Sequence, residues 1–313
     1  MIVSHLTKKF LEEKFMSILL VIQIALGLCF AGTGIGLAVD LVKNKKEQLK
    51  KTTTAQWIGA FGVGIIANLL DTLGCGSFAP STFGYKQFNV CDDADIPGTL
   101  NVGDTFPVIF EAFIFTSSVE CDPVFMVAMF IAAAIGSFGF ATVVTKWPRN
   151  KIRWALGIMM LILSPVMLCK NLGVGPFGTI GTLSGFAVNQ WQFWVAVILN
   201  VLWGALMDIG FGLYAPCMAT CLMLGISGST CFPVFMGSCA FLMPACSIEF
   251  IRTHKYDAAA TIGNAIGGLV GVFIAWKVVT SLPMFWLINL ICVVLLWTSY
   301  SLISSAIKDK GKD

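Results

Sequence analysis

Two short stretches combine an acid, paired glycines and a proline inside apolar sequence. The first is Asp71-Thr-Leu-Gly74-Cys75-Gly76-Ser77-Phe78-Ala79-Pro80, the second Asp208-Ile-Gly210-Phe211-Gly212-Leu-Tyr214-Ala-Pro216. Both read Asp, a short gap, then Gly-x-Gly-x-aromatic-Ala-Pro. A further proline follows each after 17 residues, Pro97 and Pro233, and Asp to Pro is nine residues in the first copy and eight in the second. Glycine admits an unwound backbone at low steric cost. Proline suits the first turn of a helix, where its missing N–H is no loss. Each stretch thus offers free backbone N–H groups and the positive end of a helix dipole, an arrangement that suits a small anion. Close helix packing through small residues is the other use of Gly-x-Gly, but two matched copies with flanking Asp and Pro favour a site.

The acids set a condition on that site. A carboxylate at membrane depth costs several kcal/mol unless it is paired, hydrated or protonated. Asp71 and Asp208, just before the breaks, serve either as protonation or cation-coupling groups or as acceptors for the free N–H groups. An ionised Asp would repel an anion, and protonation coupled to binding removes the conflict. Asn68 lies nearly one turn before Asp71 on a similar face and joins the coupling set. Asn101 and Ser238 fall at nearly matching places after Pro97 and Pro233, where an amide and a hydroxyl could bind anion oxygens; interhelical hydrogen bonding is the commoner use of such residues. The substrate-binding candidates are therefore Gly74, Cys75, Gly76, Ser77, Asn101, Gly210, Phe211, Gly212 and Ser238, and the coupling candidates Asp71, Asp208 and Asn68.

Other residues carry less. Glu111 and Glu249 are unmatched between the copies, and Glu249 sits near Arg252. Lys86 and Lys170 read as snorkelling side chains. Phe78, Phe83, Tyr214, Trp191 and Trp194 read as packing and interface anchors. Cys75 between the glycines and Cys217 after the second proline make thiol chemistry on a sulfur substrate conceivable, but Phe211 replaces Cys75 in the second copy. With two histidines, His5 and His254, no metal cluster is expected. No catalytic constellation, cofactor motif or phosphate-binding Gly-x-x-x-x-Gly-Lys-[Ser/Thr] loop is assigned, so neither an enzyme nor ATP-driven transport by this chain is expected.

The elements that position these residues are membrane helices. The 313 residues are 57% hydrophobic and 12% charged, with mean hydropathy +0.84; soluble domains carry about 25% charged residues. An all-α polytopic protein in a lipid bilayer follows, as one fused transmembrane domain. No basic, aromatic-interleaved surface offers a nucleic-acid site. Eleven cysteines, an odd number lying mostly in apolar runs, read as free thiols. The segment to Lys14 reads as a short amphipathic helix, and an extra span covers 16–41, too long for a signal-peptide core. Apolar segments follow at 55–73, 76–89, 95–118, 123–145 and 151–172, and after a Gly-rich connection at 190–209, 213–226, 230–251, 257–279 and 284–307. Segments 76–89 and 213–226 reach about 21 Å as helix against a hydrocarbon core of about 30 Å. They are either re-entrant or short crossings. Lys and Arg cluster at 43–51, 146–153, 252–255 and 308–312. Placing these on the cytoplasmic side puts the two sets of five in opposite orientations, with the C-terminus inside and the N-terminus outside. That is the inverted-repeat plan of secondary transporters, repeat 1 over 55–172 and repeat 2 over 190–307.

At the two breaks, Gly74-Cys75-Gly76-Ser77-Phe78-Ala79-Pro80 and Gly210-Phe211-Gly212-Leu-Tyr214-Ala-Pro216, the chain resembles the sulfite exporter TauE/SafE family of membrane permeases. The resemblance covers about 55–305, and Gly-x-Gly stands here where typical members have three glycines in a run. It implies export of sulfite or a small organosulfur anion such as sulfoacetate, driven by an ion gradient. A passive anion channel and a membrane thiol protein are the alternatives.

Overall fold

The computed structural model describes residues 2–74, 76–144, 148–174, 181–207 and 212–308. Two helices, α1 (Ile2–Lys43) and α2 (Lys46–Lys51), precede two sets of five. The first set is α3 (Thr54–Thr72), α4 (Phe78–Gln87), α5 (Ile96–Ser118), α6 (Pro123–Val144) and α7 (Arg149–Leu172). The second is α8 (Trp191–Met207), α9 (Tyr214–Leu224), α10 (Gly228–Thr253), α11 (Ala258–Ser281) and α12 (Met284–Lys308). Among the described residues the one extended pairing is an isolated bridge, Leu183 with Ile226. Among the described residues, six stretches are long and apolar enough to cross a bilayer: Met16–Lys43, Pro123–Phe140, Asn150–Leu172, Gly228–Thr253, Ala258–Ser281 and Met284–Lys308. The protein is an all-α, multi-pass membrane protein. The segment to Lys14 is not a separate helix; α1 runs through it without a break.

Interhelical contacts give the relation between the sets. Helices α5 and α10 run antiparallel. Thr105 Oγ1 meets Ser247 Oγ at 2.7 Å towards one end, and the Phe115 and Phe232 rings stack 5.2 Å apart towards the other. Helices α7 and α12 are also antiparallel. Asn171 Nδ2 donates to the Phe285 carbonyl at 3.0 Å, and Ser299 Oγ donates to the Gly157 carbonyl at 2.7 Å. The first helix of each set instead runs parallel to the fourth helix of the other. In α3 and α11, Gly267 backs onto the Phe61 carbonyl and Gly271 onto the Ile65 carbonyl. In α8 and α6, Asn200 Nδ2 donates to the Met129 carbonyl at 2.7 Å and Gly204 backs onto Ala133. Third packs with third, fifth with fifth, and first with fourth, with equivalent helices antiparallel. This is a pseudo-two-fold relating halves of opposite direction.

The short helices fold back on the helices before them as hairpins. Helix α4 turns back along α3, so that Gly84 lies against Val63 and Gln56, near the start of α3, meets the Val90 carbonyl beyond α4. Helix α9 turns back along α8 in the same way. Trp203 Nε1 donates to Thr220 Oγ1 at 3.1 Å, and past the end of α9 the Ser227 N–H donates to the Leu183 carbonyl at 2.9 Å. The two hairpin tips therefore enter from opposite ends.

Helix α1 lies outside the repeats and packs across α5 and α10. It is antiparallel to α5, with Gln23 Nε2 donating to Ser117 Oγ at 2.7 Å. Its other end is tied to the α10–α11 turn. Tyr256 OH donates to Asp40 Oδ2 at 2.5 Å, His254 Nδ1 lies 2.7 Å from Asp40 Oδ1, and Lys45 Nζ donates to the Tyr256 carbonyl at 2.7 Å. The lysine-rich stretch 43–51, which is largely helix α2 and not a loop, and the Arg252–Lys255 turn thus share one end of the bundle. Lys86 pairs there with Asp93 at 3.0 Å, and Glu249 lies 3.9 Å from Arg252, both pairs exposed.

The α3–α11 seam depends on close backbone approach. A Cβ on Gly267 would overlap the Phe61 carbonyl oxygen, whereas one on Gly62 meets nothing within 4 Å. Gly267→Leu is expected to cost about 1–3 kcal/mol by overpacking, read as a lower unfolding temperature in detergent, while Gly62→Ala leaves it unchanged or slightly higher.

Candidate functional site

The hairpin tips meet beside the middle of α5, and the side chains that gather there are acidic. Asp71 lies in the last turn of α3, with Asn68 and Thr72 on adjoining positions of the same helix. Asp104 and Glu111 are seven residues apart on α5, two turns along one face. Asp71 is 4% exposed, and Asp104 and Glu111 are fully buried. The Asp104 carboxylate accepts from Asn264 Nδ2 at 2.6 Å, Asn68 Nδ2 at 3.2 Å and Ser77 Oγ at 3.0 Å. Glu111 is held by Thr72 Oγ1 at 2.6 Å and Tyr214 OH at 2.8 Å. Asp71 faces the Ser77 hydroxyl and backbone N–H. Three carboxyls are thus bridged into one network by α3, α5, α11 and both hairpin tips. Among the described residues, no Lys, Arg or His lines it.

The sequence builds the tips locally. Gly74 and Gly76 have φ of +96° and +81°, left-handed values that a side chain disfavours. They turn the chain so that Ser77 reaches back to the acids. Helix α4 then starts at Phe78 and α9 at Tyr214, with Pro80 and Pro216 each at the third helical position, so the two breaks are in the same phase. The N-cap residues Ser77 and Leu213 make no side-chain cap, which leaves first-turn N–H groups available.

Two spaces adjoin the tips, and Gly76, Phe78, Gly212 and Tyr214 line both. The space on the carboxyl side, about 40 Å³, is closed by Asp71, Ser77 and Cys239 among others. It has room for roughly one to three waters and no larger ligand. The other, about 120 Å³, lies between the first turns of α4 and α9 and Thr298 and Ser301 of α12. The two spaces adjoin across Gly76, Phe78, Gly212 and Tyr214, one bearing Asp71 and the other the Thr298 and Ser301 hydroxyls.

Donor counting shows what the network can do. Thr72 Oγ1 lies 2.8 Å from the Asn68 carbonyl as well as 2.6 Å from Glu111. A hydroxyl has one proton. If it goes to the carbonyl, the Thr72–Glu111 contact requires a proton on Glu111. Ser77 sits between Asp71 and Asp104 and likewise donates to only one of them. Asn68 Oδ1 is a buried acceptor with no partner. The cluster has more acceptors than protons, so it can take up protons without moving heavy atoms.

Of the residues singled out from sequence, Asp71, Gly76, Ser77 and Gly212 line the carboxyl-side space, and Asn68 belongs to the network. Gly74 lines only the helix-terminus side. Asn101 lines neither space; its amide donates to its own helix at the Pro97 carbonyl, 2.8 Å away. Ser238 is held by Asn200 Nδ2 at 3.0 Å and donates to the Val234 carbonyl, away from the tips. Cys75, Asp208, Gly210 and Phe211 lie outside the described residues. Sequence reasoning missed Asp104 and Asn264, set Glu111 aside and took Tyr214 for packing. The seven-residue spacing of Asp104 and Glu111 was the available signal. Matching between repeats hid it, because seven residues after Pro233 repeat 2 has Ala240 where Asp104 follows Pro97. Asn68 links α3 to Asp104 as Asn200 links α8 to Ser238. Among the described residues no cysteine is in a disulfide; Cys217, Cys221, Cys231 and Cys239 are buried, and Cys29, Cys91, Cys169 and Cys246 are partly exposed.

No family model, curated protein or solved structure matches the chain.

Replacing Asn264 by Ala removes the shortest bond to Asp104 and leaves a buried carboxyl short of donors. Its cost should shrink when Asp104→Asn is added. A coupling of about 0.5–3 kcal/mol in this double-mutant cycle, measured by unfolding in detergent, is expected; strict additivity would contradict the network.

Proposed function

We propose that this chain is a secondary transporter that works by alternating access, with Asp71, Asp104 and Glu111 as its proton-coupling centre. The observation that carries this reading is the buried acid network, held by neutral donors alone among the described residues, where two oppositely directed hairpins meet. Carboxyls in that setting are tolerated when protons balance their charge, and bound protons are what a transporter exchanges with the two aqueous phases. Inverted repeats with broken helices at mid-depth are the common architecture of such carriers.

The substrate reading combines this centre with the resemblance to sulfite exporters. A small sulfur oxyanion or sulfonate, sulfite or sulfoacetate, would lie in the larger space at the first turns of α4 and α9. Free N–H groups, the helix dipoles and the Thr298 and Ser301 hydroxyls favour negative charge there. An anion beside three carboxyls binds well only when protons offset them, so substrate and proton bind together. The lysine-bearing end and the C-terminus then face the cytoplasm of a cell membrane, by the rule that positive loops remain inside.

The test is flux in proteoliposomes for sulfite, sulfoacetate, taurine and thiosulfate, with and without a pH gradient. One pH unit corresponds to about 1.4 kcal/mol per proton, or about tenfold accumulation. At least one substrate is expected to accumulate against its own gradient, and Asp71→Asn, Asp208→Asn and Glu111→Gln are expected to lose the pH dependence. Dissipation without accumulation would mean a channel. Unchanged pH dependence in all three variants would remove the coupling role.

A further inference from the structure

A cavity unrelated to the two tip spaces opens at the end of the bundle opposite the lysine-rich stretch. It has a volume of about 300 Å³ and is walled by the ends of α5, α10, α11 and α12, with Ser118, Glu120, Ser229 and Thr280 supplying polar groups. Its floor includes Phe115 and Phe232. These two rings come from α5 and α10, the helices that meet at the pseudo-two-fold. They stack with centroids 5.2 Å apart and planes within 15°, and both are essentially fully buried.

Immediately beyond the stack lies the acid network. Phe115 is one turn along α5 from Glu111. Phe232 packs on Phe235 at 5.3 Å, Phe235 on Tyr214 at 4.6 Å, and Tyr214 OH donates to Glu111. Two aromatic layers therefore lie between the vestibule and the carboxyls along this line, and the one hydroxyl in them, that of Tyr214, is turned to Glu111. The same helix pair is pinned towards its other end by the Thr105–Ser247 bond and by Ser247 Oγ donating to the Asn101 carbonyl at 2.9 Å. Helices α5 and α10 are thus in contact towards both ends.

We infer that the Phe115–Phe232 stack is the barrier between the acid network and an aqueous vestibule at the lysine-poor face, and that separating α5 from α10 at this stack opens the transport path to that side. The inference rests on the transporter reading above and adds the route and the residues that close it. Ring stacking suits this task. It seals against water and protons by packing, and it separates without leaving an unpaired polar group in lipid.

Native Cys239 provides a reporter, because it lines the carboxyl-side space beyond the stack. Reconstituted protein is treated with a membrane-impermeant charged thiosulfonate, and the modified cysteines are identified by mass spectrometry. In a Ser229→Cys variant, the introduced thiol on the vestibule wall is expected to react rapidly from the lysine-poor face. Cys239 is expected to react slowly in the otherwise unaltered protein. Its rate should rise by about tenfold or more in Phe115→Ala and Phe232→Ala, which corresponds to removing about 1.4 kcal/mol from the cost of opening. Phe115→Leu and Phe232→Leu keep most of the volume and lose the stack; they should give a smaller increase and guard against misfolding of the alanine variants. Phe83→Ala, on a side chain 71% exposed, serves as the unchanged control. An inert thiol in Ser229→Cys, or Cys239 reactivity unaltered in all four Phe115 and Phe232 variants, overturns the proposal. Proton-dependent flux that survives such a result would leave the transporter reading standing without this route.

Discussion

Burying three carboxyls inside a membrane fold is the constraint on which the rest of this structure depends. Each acid carries several kcal/mol of penalty unless its charge is met. The fold meets it with neutral donors drawn from three helices and one break: Asn68 and Thr72 from α3, Asn264 from α11, Tyr214 from α9, and Ser77 before α4. Those donors converge only if α3 lies flush along α11 and both hairpins stop at mid-depth. The glycine seam provides the first condition. The left-handed Gly74 and Gly76 provide the second on the α4 side. Packing glycines and chemical residues are thus parts of one arrangement.

The two halves share a backbone plan but not a chemistry. Helices pair across the pseudo-two-fold in matching fashion, and Pro80 and Pro216 hold the same helical position. Yet Asp104 and Glu111 both belong to α5. In repeat 2, Ser238 and Ser247 occupy α10, where they tie helices together through Asn200 and Thr105. Among the described residues the network's carboxyls come from repeat 1, and repeat 2 contributes Asn264, Tyr214 and the N-terminal turn of α9.

Much of the fold was legible from composition and loop charge. Apolar runs gave the ten helices of the two repeats to within a few residues, though not the start of α1 or the short α2, and lysine and arginine placement gave the opposed repeats, because bilayer thickness and loop charge act locally on sequence. Which neighbours 76–89 and 213–226 pack on was not legible; the contacts of Gly84 with Val63 and of Trp203 with Thr220 lay them along α3 and α8, and both contacts are tertiary. The site was half legible. Asp71, Asn68 and Ser77 stood out because the motif repeats. Asp104, Asn264 and the hydroxyl of Tyr214 did not, since their role arises from which helices become neighbours. Asn101 and Ser238 matched between the repeats yet bind their surroundings. Equivalence by symmetry identifies shared structure, and the functional groups here are those that break it.

The central claim is that the acid network holds exchangeable protons. Difference infrared spectroscopy of the reconstituted protein on hydrogen–deuterium exchange reads this directly, through the carbonyl bands of protonated carboxyls. The account predicts deuterium-sensitive protonated bands at neutral pH that are reduced in Glu111→Gln and in Asp104→Asn. Spectra showing only ionised carboxylates, unaltered in both variants, would contradict it.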